Sequence, residues 1–337
     1  MAVVSIADAL KMALQEEMRR DEAVYCLGED VDIPGGMGGA FTVSKGLLDE
    51  FGPERVINTP IAEILLGGAC VGSAMTGMRP VADLQYCDFI FCMMDQLVNQ
   101  AAKMCYMSGG KVHIPMVLRL PCGATQRGAQ HAQCPTSYFI HVPGLKVICP
   151  STPYDAKGLL KTAIRDDNPV LVFEHKLLYG SSRKEKDAIQ TSGEVPEDDY
   201  TIEFGKAVVR KEGKDITLVA NLLMSYRAQE AAAKLEEEGI SVEVIDPRTL
   251  APFDYETVEN SVKKTGKLMI VHEDNLTGGW GQQVAAHFAE NRIYDLDAPI
   301  KVVASLDTPV PFTAPLENFV VPSVERIMNE ARELAKM

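Results

Sequence analysis

Strand-length apolar runs alternate with helix-like patterns along the whole chain, and this alternation restricts the possible folds more than any other feature. Residues 23–27, 79–86, 112–120, 145–149 and 170–173 are apolar runs typical of buried strands. Residues 89–107 predict one long helix and residues 155–165 another. Strands that alternate with helices favour a parallel sheet covered by helices, so the sequence predicts an α/β protein.

A polar stretch divides this pattern into two sets. The chain has 337 residues, which is long for a single hydrophobic core. Residues 181–200 are rich in charged and turn-forming residues and predict a linker. Strand and helix patterns resume beyond it, for example at residues 216–220 and 226–238. We therefore predict domains over residues 1–180 and 201–337.

The composition excludes several classes of partner. The net charge of −14 argues against nucleic acid and against anionic membrane. No apolar run approaches the roughly 18 residues of a membrane span. The N-terminal segment contains Asp8, Glu16 and Glu17, unlike a secretory or transit peptide, so we expect a cytoplasmic protein. The eight cysteines include no C-x-x-C pair, which favours reduced thiols over a zinc site.

Glu63 is the first candidate for chemistry, because it directly precedes the charge-free residues 64–72. We expect that run to be a helix or turn buried deep in the fold, with Glu63 poorly hydrated at its edge. Burial away from cations raises the pKa of a carboxyl group and suits it to proton transfer near neutral pH. The alternative is an acid in the first turn of a helix, stabilised by the helix dipole.

Two further segments attract attention for their polar or glycine-rich character. His131 lies in a polar, glycine-containing stretch rather than on an apolar face, and an unperturbed imidazole suits proton transfer at neutral pH. Residues 34–39 contain four glycines, but not at the G-x-G-x-x-G spacing of a dinucleotide site. We therefore interpret residues 34–39 as a loop.

Taken together, the motifs resemble those of the beta subunit of the decarboxylating component of 2-oxo acid dehydrogenase complexes. That family includes the pyruvate, branched-chain and acetoin enzymes. The resemblance covers nearly the whole length and includes Thr59-Pro60-Ile61-Ala62-Glu63 and Gln130-His131-Ala132-Gln133. The other matching segments are residues 28–31, 77–80, 95–100, 106–110, 141–147, 150–158 and 245–250. It implies a thiamine-diphosphate-binding pyrimidine-type domain with a parallel sheet, followed by a transketolase C-terminal-type α/β domain.

The resemblance also implies roles for individual residues. The family glutamate that matches Glu63 hydrogen-bonds a ring nitrogen of the aminopyrimidine of thiamine diphosphate, which requires a dry pocket. Phe89 matches the aromatic residue that stacks on this ring, and Gln85 lines the same pocket. His131 matches a histidine implicated in substrate handling and in acylation of the lipoyl group. Leu65 stands where many relatives carry glycine, and its side chain would either fill the pocket wall or change the backbone there.

Other positions depart from the family pattern or concern metals and partners. Asn58, Ala62 and Ala132 replace the usual Asp, Ser and Ser, and the substrate stays open between pyruvate, a branched-chain 2-oxo acid and acetoin. The family's potassium site, formed mainly by carbonyl oxygens, matches Met116, Ala163, Asp166 and Asn168.

The sequence lacks the Gly-Asp-Gly motif that, with a downstream Asn, holds magnesium and diphosphate in this family. The resemblance therefore implies that an alpha subunit holds the magnesium in an α2β2 heterotetramer. It also implies that the C-terminal domain binds the dihydrolipoyl acyltransferase core.

Two hypotheses of other classes remain open at this point. One is a non-catalytic docking subunit of the same complex, which would not need Glu63. The other is a dinucleotide oxidoreductase, which the α/β pattern permits although the glycine fingerprint is missing.

Overall fold

The computed structural model of this protein describes residues 2–31, 38–180, 189 and 191–337. Most of the predicted glycine loop at 34–39 and about half of the predicted linker at 181–200 lie outside the described residues. The chain forms two compact units. Unit 1 comprises residues 1–122 and 138–204, and unit 2 comprises residues 123–137 and 205–337.

Unit 1 is built on six parallel strands with nearly continuous apolar sequence. These strands are β2 (Val24–Gly28), β3 (Val56–Asn58), β4 (Arg79–Asp83), β5 (Val117–Cys122), β6 (Lys146–Ile148) and β7 (Val170–His175). They lie in the order β6–β7–β5–β4–β2–β3. A separate antiparallel pair joins β1 (Ala2–Val4) to β8 (Gly193–Val195). Burial of most strand positions on both faces is typical of parallel sheets, and the predicted α/β class is confirmed.

Helices cover this sheet, and two of the longer ones, α1 and α6, begin at side-chain caps. The helices up to residue 204 are α1 (Ile6–Arg20), α2 (Leu47–Phe51), α3 (Glu63–Met75), α4 (Ala102–Met107), α5 (Thr136–Ile140), which begins in the last two residues of the segment 123–137 of unit 2, and α6 (Pro153–Arg165). Short 3-10 helices occupy Cys87–Met93 and Lys176–Leu178. The Ser5 hydroxyl accepts the Asp8 N–H at 3.1 Å and the Thr152 hydroxyl accepts the Asp155 N–H at 3.2 Å, which caps α1 and α6.

The prediction of one long helix over residues 89–107 was wrong. The chain there forms the 3-10 helix Cys87–Met93, then a π-helix over Asp95–Ala101, then α4. The helix α3 packs closely against the junction of the 3-10 helix and the π-helix. A Cβ atom on Gly67 of α3 would lie 3.1 Å from the Cβ of Gln96 and 3.2 Å from that of Met93. Wide π turns let a helix adjust to such a neighbour.

Buried charges join α1 to α6 in unit 1. The amines of Lys157 and Lys161 are buried and lie 2.7 Å and 2.5 Å from the carboxylate of Glu16. Arg165 pairs with the fully buried Glu17 at 2.6 Å. Each buried charge therefore has a partner, as burial of charge requires.

Unit 2 contains a second sheet that is mostly parallel. Its strands β14 (Lys301–Ser305), β13 (Leu268–Asn275), β10 (Ile216–Ala220), β11 (Val242–Asp246) and β9 (Val208–Lys211) lie in that order, and only β9 is antiparallel to its neighbour. A short strand, β12, spans Thr249–Ala251. The helices are α7 (Leu222–Glu237), α8 (Tyr255–Thr265), α9 (Trp280–Asn291), α10 (Ala314–Val320) and α11 (Val324–Ala335), with a 3-10 helix at Ile293–Asp295.

All eight cysteines are free thiols, and all except Cys92 and Cys105 are buried. Burial raises the pKa of Cys26 and Cys70 to about 12, so these thiols stay protonated. Among the helices of the described ranges, none has the length and apolar character needed to span a membrane.

Candidate active site

The carboxyl ends of β2, β3 and β4 meet at one edge of the sheet in unit 1. Gly28 lies opposite both Asn58 and Asp83 across the parallel pairs. The N–H of Thr59 donates to the carbonyl of Gly28 at 2.9 Å and fixes the chain as it leaves β3. Glu63 follows within five residues and begins α3. Ligands of open α/β sheets bind at this kind of edge.

Glu63 is half-buried in the first turn of α3. Ala62 precedes it and makes no side-chain cap, so the amides of the first turn depend on other partners. A carboxylate in this position is favoured by the helix dipole. The structure is therefore compatible with both interpretations of Glu63, as a first-turn acid and as a ligand-facing group.

Gln85 and Phe89 follow the carboxyl end of the neighbouring strand β4. The Gln85 amide nitrogen lies 3.5 Å from the carbonyl oxygen of Glu29 and 3.4 Å from a carboxylate oxygen of Asp30. Phe89 is half-buried, and its ring meets that of Tyr86 edge-on with centroids 6.0 Å apart. The 3-10 helix that carries Phe89 packs against α3. Both side chains thus lie on segments next to Glu63.

Several carboxylates share this edge. Burial raises the pKa of Glu29, and the negative charges of Glu63, Asp30 and Asp83 raise it further. Carboxyl groups that repel one another in this way can retain a proton at higher pH than isolated ones. The edge can therefore hold a proton close to Glu63.

The buried guanidinium of Arg119 neutralises part of the negative charge of these carboxylates. Arg119 on β5 forms two bonds to Glu174, at 3.0 and 2.7 Å, and one to Asp83 at 2.8 Å. The hydroxyl of Tyr179 donates to Glu174 at 2.6 Å. Burial raises the pKa of Glu174, against the attraction of Arg119. The network fixes Asp83 at the end of β4.

The residues present fit the pyrimidine half of thiamine diphosphate. The hydroxyl of Thr59 is buried and has no hydrogen-bond partner among the described residues, and such a group costs about 1–3 kcal/mol unless a ligand bonds it. With Glu63, Gln85 and Phe89, it provides the polar groups and the aromatic face that an aminopyrimidine requires. For a metal ion, the described part of the chain holds no group of three or more His, Cys, Asp or Glu side chains.

The expectation that residues 64–72 are buried on all sides was wrong. They form a helix, as expected, but only Leu66, Gly67, Cys70, Val71 and Ala74 of α3 pack into the core of this chain. The opposite side is open: Ile61 is 82% exposed, Ile64 61% and Leu65 51%. The sequence pattern could not separate a helix surrounded by its own chain from one with an apolar outer side. The dry surroundings expected for Glu63 are therefore not supplied by Ile61, Ile64 and Leu65 in this chain.

His131 lies in the segment 123–137, which belongs to unit 2. This segment closes on itself, because the N–H of Gly123 donates to the carbonyl of Gln133 at 2.8 Å. The N–H of His131 donates to the carbonyl of Gly128 at 3.2 Å, and the side chain of His131 is half-buried. The structure therefore places His131 in unit 2, and Glu63, Leu65, Gln85 and Phe89 in unit 1.

Three buried acids of unit 2 bond the segment around His131. Glu273 accepts the N–H of Ala124 at 2.6 Å. Glu317 accepts the N–H of Gln126 at 2.7 Å. Asp274 accepts the N–H of Ser137 at 3.0 Å and also the Ser137 hydroxyl. It further accepts the hydroxyl of Thr136 at 2.7 Å. Burial raises the pKa of Asp274 to about 6, against these hydrogen bonds.

His272 lies directly before two of these acids and is completely buried. Its Nδ1 lies 3.2 Å from the carbonyl oxygen of Asp274, and its Nε2 has no hydrogen-bond partner among the described residues. A Cβ atom on Gly279 or Gly281 would come within 2.4 or 2.7 Å of the ring, so both positions require glycine. Burial lowers the pKa of His272 to about 4, and the imidazole is therefore neutral at pH 7.

The four residues expected to bind potassium all lie in unit 1. The carbonyl of Met116 accepts the N–H of Val170 at 3.0 Å, and that of Ala163 accepts the N–H of Asp166 at 3.3 Å. Asn168 donates to the Asp166 carboxylate at 2.9 Å. Each carbonyl oxygen has a second lone pair.

Two cationic side chains of the protein also contact the turn at Asp166. Arg79 donates to the carbonyl of Asp166 at 3.1 Å, and Lys146 pairs with its carboxylate. The protein thus already provides positive charge there.

Comparison with known proteins settles the family. The model of the transketolase pyrimidine-binding domain matches residues 2–182, and that of the transketolase C-terminal domain matches residues 205–327. The 2-oxoisovalerate dehydrogenase subunit beta of Bacillus subtilis is 44% identical over 100% of both chains. The pyruvate dehydrogenase E1 component subunit beta of Rhizobium meliloti is 44% identical over 98% of this chain and 70% of that protein. This chain belongs to the family of 2-oxo acid dehydrogenase E1 beta subunits.

The beta subunit resembles a third kind of relative to the same degree. The acetoin:2,6-dichlorophenolindophenol oxidoreductase subunit beta of Cupriavidus necator is 44% identical over 99% of this chain and 98% of that protein. A solved structure described as a split gene transketolase, inactive beta4 tetramer, shows the same fold, with a TM-score of 0.77, 24% identity and 99% coverage of each chain. The family is thiamine diphosphate-dependent. The family, the fold and the enzyme class predicted from the sequence are confirmed.

Sequence reasoning missed several buried charged groups in each unit of the beta subunit. Arg119 interrupts an apolar strand, and a lone arginine in such a run is a usable signal of a buried ion pair. Glu273, Asp274 and Glu317 gave no comparable signal, because their partners are backbone N–H groups far away in the sequence.

Proposed function

We propose that this beta subunit and an alpha subunit together bind thiamine diphosphate, decarboxylate a 2-oxo acid and transfer the acyl group to a lipoyl-acyltransferase. The observation that carries the proposal is the sheet edge in unit 1, where Thr59, Glu63, Gln85 and Phe89 offer the groups that an aminopyrimidine requires. Pyruvate or a branched-chain 2-oxo acid is the proposed substrate. Acetoin is the alternative, because relatives of all three kinds are 43–44% identical to this chain.

When bound, thiamine diphosphate supplies a carbon nucleophile and an electron sink for decarboxylation. Glu63 would hold a proton at a ring nitrogen of the aminopyrimidine, and the neighbouring Glu29 would oppose its loss. Phe89 would fix the plane of that ring by stacking. Gln85 would line the same pocket. His131 would move a proton at the substrate or at the lipoyl group, because an imidazole can act as a general acid or base.

The outer side of α3 supports an alpha subunit as the partner that completes this site. Ile61, Ile64 and Leu65 are exposed beside Glu63, and Gly68 and Gly72 leave open space on the same helix. A partner that covers this side would exclude water around Glu63 and so supply the dry pocket that binding of the aminopyrimidine requires. We propose an α2β2 heterotetramer in which the alpha subunit also holds the magnesium ion.

Unit 2 would contact the dihydrolipoyl acyltransferase core. Phe312, Leu316 and Phe319 are all more than half exposed along and just before α10, and Tyr294 is 100% exposed. Exposed apolar groups of this size are typical of protein interaction sites. Replacement of Tyr294 by serine should weaken binding to the acyltransferase while decarboxylation by the E1 component persists. Unchanged binding of that variant and of a Phe319→Ser variant would exclude this surface.

We also propose a structural potassium ion at Met116, Ala163, Asp166 and Asn168, bound through carbonyl oxygens. Such an ion would stabilise the turn that Lys146 already contacts. The thermal midpoint should then be higher in potassium chloride than in choline chloride of equal ionic strength. Equal midpoints would show that the protein's own cations suffice.

The predicted domains 1–180 and 201–337, with the linker 181–200, are retained as a proposal, and limited proteolysis followed by mass spectrometry tests them. We propose a cytoplasmic location, which cell fractionation tests.

The function itself is tested by reconstitution. The beta subunit purified alone should neither retain thiamine diphosphate nor consume any substrate, whereas the pair with its alpha subunit should do both. Assays of the pair with pyruvate, branched-chain 2-oxo acids and acetoin then identify the substrate. Turnover by the beta subunit without a partner, or no turnover of any of the three by the pair, would refute the proposal.

A further inference from the structure

The segment that carries His131 is an irregular loop, and its shape has to be imposed from outside. Residues 123–133 form a compact loop whose ends meet through the bond between Gly123 and Gln133. No helix or strand spans this loop. Fixing the backbone of each residue costs about 1–2 kcal/mol in conformational entropy. A precisely placed His131 therefore requires specific anchors.

The anchors are acids rather than apolar contacts alone. Glu273, Asp274 and Glu317 are each less than 10% exposed, and each accepts at least one backbone N–H of the segment 123–137. A buried carboxylate that accepts an N–H forms a charge-assisted bond, which is stronger than a bond between neutral groups. Glu273 and Glu317 hold the segment before His131, and Asp274 holds it after His131.

A bulge in β13 explains how two neighbouring acids can both reach the segment. Side chains of consecutive strand residues normally point to opposite faces of the sheet. The pairing of β13 with β14 shifts register between Val271 and Asn275, and such a bulge re-aims side chains. Glu273 and Asp274 lie within this stretch. Trp280 adds a further tie, because its N–H donates to the Ser137 hydroxyl at 2.8 Å.

Glu317 differs from the other two acids because it holds a strained residue. Gln126 has a φ of 58°, in the left-handed region that costs a residue other than glycine roughly 1–2 kcal/mol. Glu317 accepts the N–H of this residue, five positions before His131. Its carboxylate thus favours a backbone turn that Gln126 would otherwise avoid. This turn therefore sets the direction in which the backbone continues toward Gly128 and His131.

We propose that Glu317, with Glu273 and Asp274, is a positioning residue that acts on turnover through His131. The inference rests on the proposed role of His131 in the reaction. A displacement of about 1 Å at a reacting group can cost 10²-fold in rate. Loss of the Glu317 carboxylate should therefore lower kcat by about that factor, with little change in KM for the 2-oxo acid.

The test uses the beta subunit assembled with its alpha subunit. It compares Glu317→Ala, Glu317→Gln and His131→Asn as single variants, and each Glu317 substitution combined with His131→Asn. Glu317→Ala should lower kcat by about 10²-fold. Glu317→Gln keeps an acceptor oxygen and should retain kcat within about threefold. Glu290→Ala, an exposed acid of α9 in the same unit, is the matched control and should leave kcat unchanged.

The decisive result is the double variant. If Glu317 acts through His131, Glu317→Ala should cost nothing further once His131 is asparagine. Independent costs that multiply would overturn the proposal, as would full activity of Glu317→Ala. Full activity of His131→Asn would refute the proposed role of His131 and this inference together. Loss of activity in His131→Asn, with full activity in Glu317→Ala, would refute only the inference.

A second variant covers the case in which Glu317→Ala fails to fold. Glycine adopts a φ of 58° without strain, so Gln126→Gly combined with Glu317→Ala should restore folding and a large part of kcat. A folded but inactive double variant would show that the strained turn is not what Glu317 controls.

Discussion

The sheet edge around Glu63 and the loop around His131 are organised in opposite ways. Glu63 stands beside Ile61, Ile64 and Leu65, which this chain leaves exposed. His131 stands in a loop that buried acids of the same chain hold at several points, including Glu317. The beta subunit therefore builds the surroundings of His131 by itself, whereas it leaves one side of the surroundings of Glu63 open.

The largest expected effect concerns Glu63. Glu63→Ala in the assembled enzyme should lower turnover by about 10³-fold, because it removes the group proposed to hold the proton at the aminopyrimidine. Assembly with the alpha subunit should persist, which size-exclusion chromatography checks. Glu54→Ala, an exposed acid before β3, is the control. Unchanged turnover in Glu63→Ala would support the non-catalytic docking subunit instead.

The next effect tests whether the outer side of α3 is an interface. A Cβ atom on Gly72 meets nothing within 4 Å in this chain, so Gly72→Leu should leave the isolated beta subunit folded and by helix propensity slightly more stable. The bulky side chain should weaken association with the alpha subunit by about 10²-fold or more, since close helix packing tolerates little added volume. Glu237→Leu, at an exposed position of α7, is the control. Sedimentation of each beta variant mixed with the alpha subunit measures their association. Normal assembly of Gly72→Leu would show that α3 is not part of the interface.

A smaller effect concerns the strand that holds the His131 loop. The folded-state pKa of His272 is about 4, below its ordinary value of 6.5, so its contribution to stability is complete above pH 6.5 and is lost as the pH falls toward 4. From pH 8 to pH 5 this single group should account for about 2 kcal/mol of lost unfolding free energy. The buried Asp274 acts in the opposite direction, because its folded-state pKa is raised to about 6.

Comparison of variants isolates the His272 contribution. Urea unfolding at each pH can be followed through Trp280, the one tryptophan of the chain, whose ring lies 5.2 Å from that of His272. His272→Gln should show a loss between pH 8 and pH 5 that is smaller by about 2 kcal/mol than in the unaltered protein. Parallel curves would mean that His272 is not neutral in the folded state.

The smallest expected effect concerns the stacking residue. Phe89→Leu keeps apolar volume but removes the ring, and an aromatic pair is worth about 0.5–1.5 kcal/mol beyond its buried area. The thiamine diphosphate concentration for half-maximal activity should therefore rise about 2- to 10-fold. Phe91→Leu, on the same 3-10 helix, should leave it unchanged. An equal rise in both variants would point to helix packing instead of stacking.

The sequence was a good guide where local pattern decides the structure. Apolar runs predicted the buried strands β2, β7 and β10, and their alternation with helices predicted the fold class. The strand β9 escaped, because half of Val208–Lys211 is polar and it lies at an edge of its sheet. Short edge strands carry too few apolar residues to give a periodic signal.

The site was predictable only in part, for a different reason. Glu63, Gln85 and Phe89 fall beside one another because parallel strands bring their carboxyl ends to one edge. Their motifs could be found in the sequence. The exposure of Leu65 could not, because an apolar residue reads the same whether its own chain or a partner covers it. The acids that bond the His131 loop were equally hidden, since backbone N–H groups leave no trace in a sequence.

The paired amines between α1 and α6 have a practical consequence for labelling. Lys157 and Lys161 have essentially no exposed surface while Glu16 holds them. Reagents that acylate lysine reach only amines that are free and unprotonated, so these two sites react when unit 1 opens and not before. Peptides that contain them thus report the integrity of unit 1 separately from that of unit 2, in mixtures where a single spectroscopic signal would average the two.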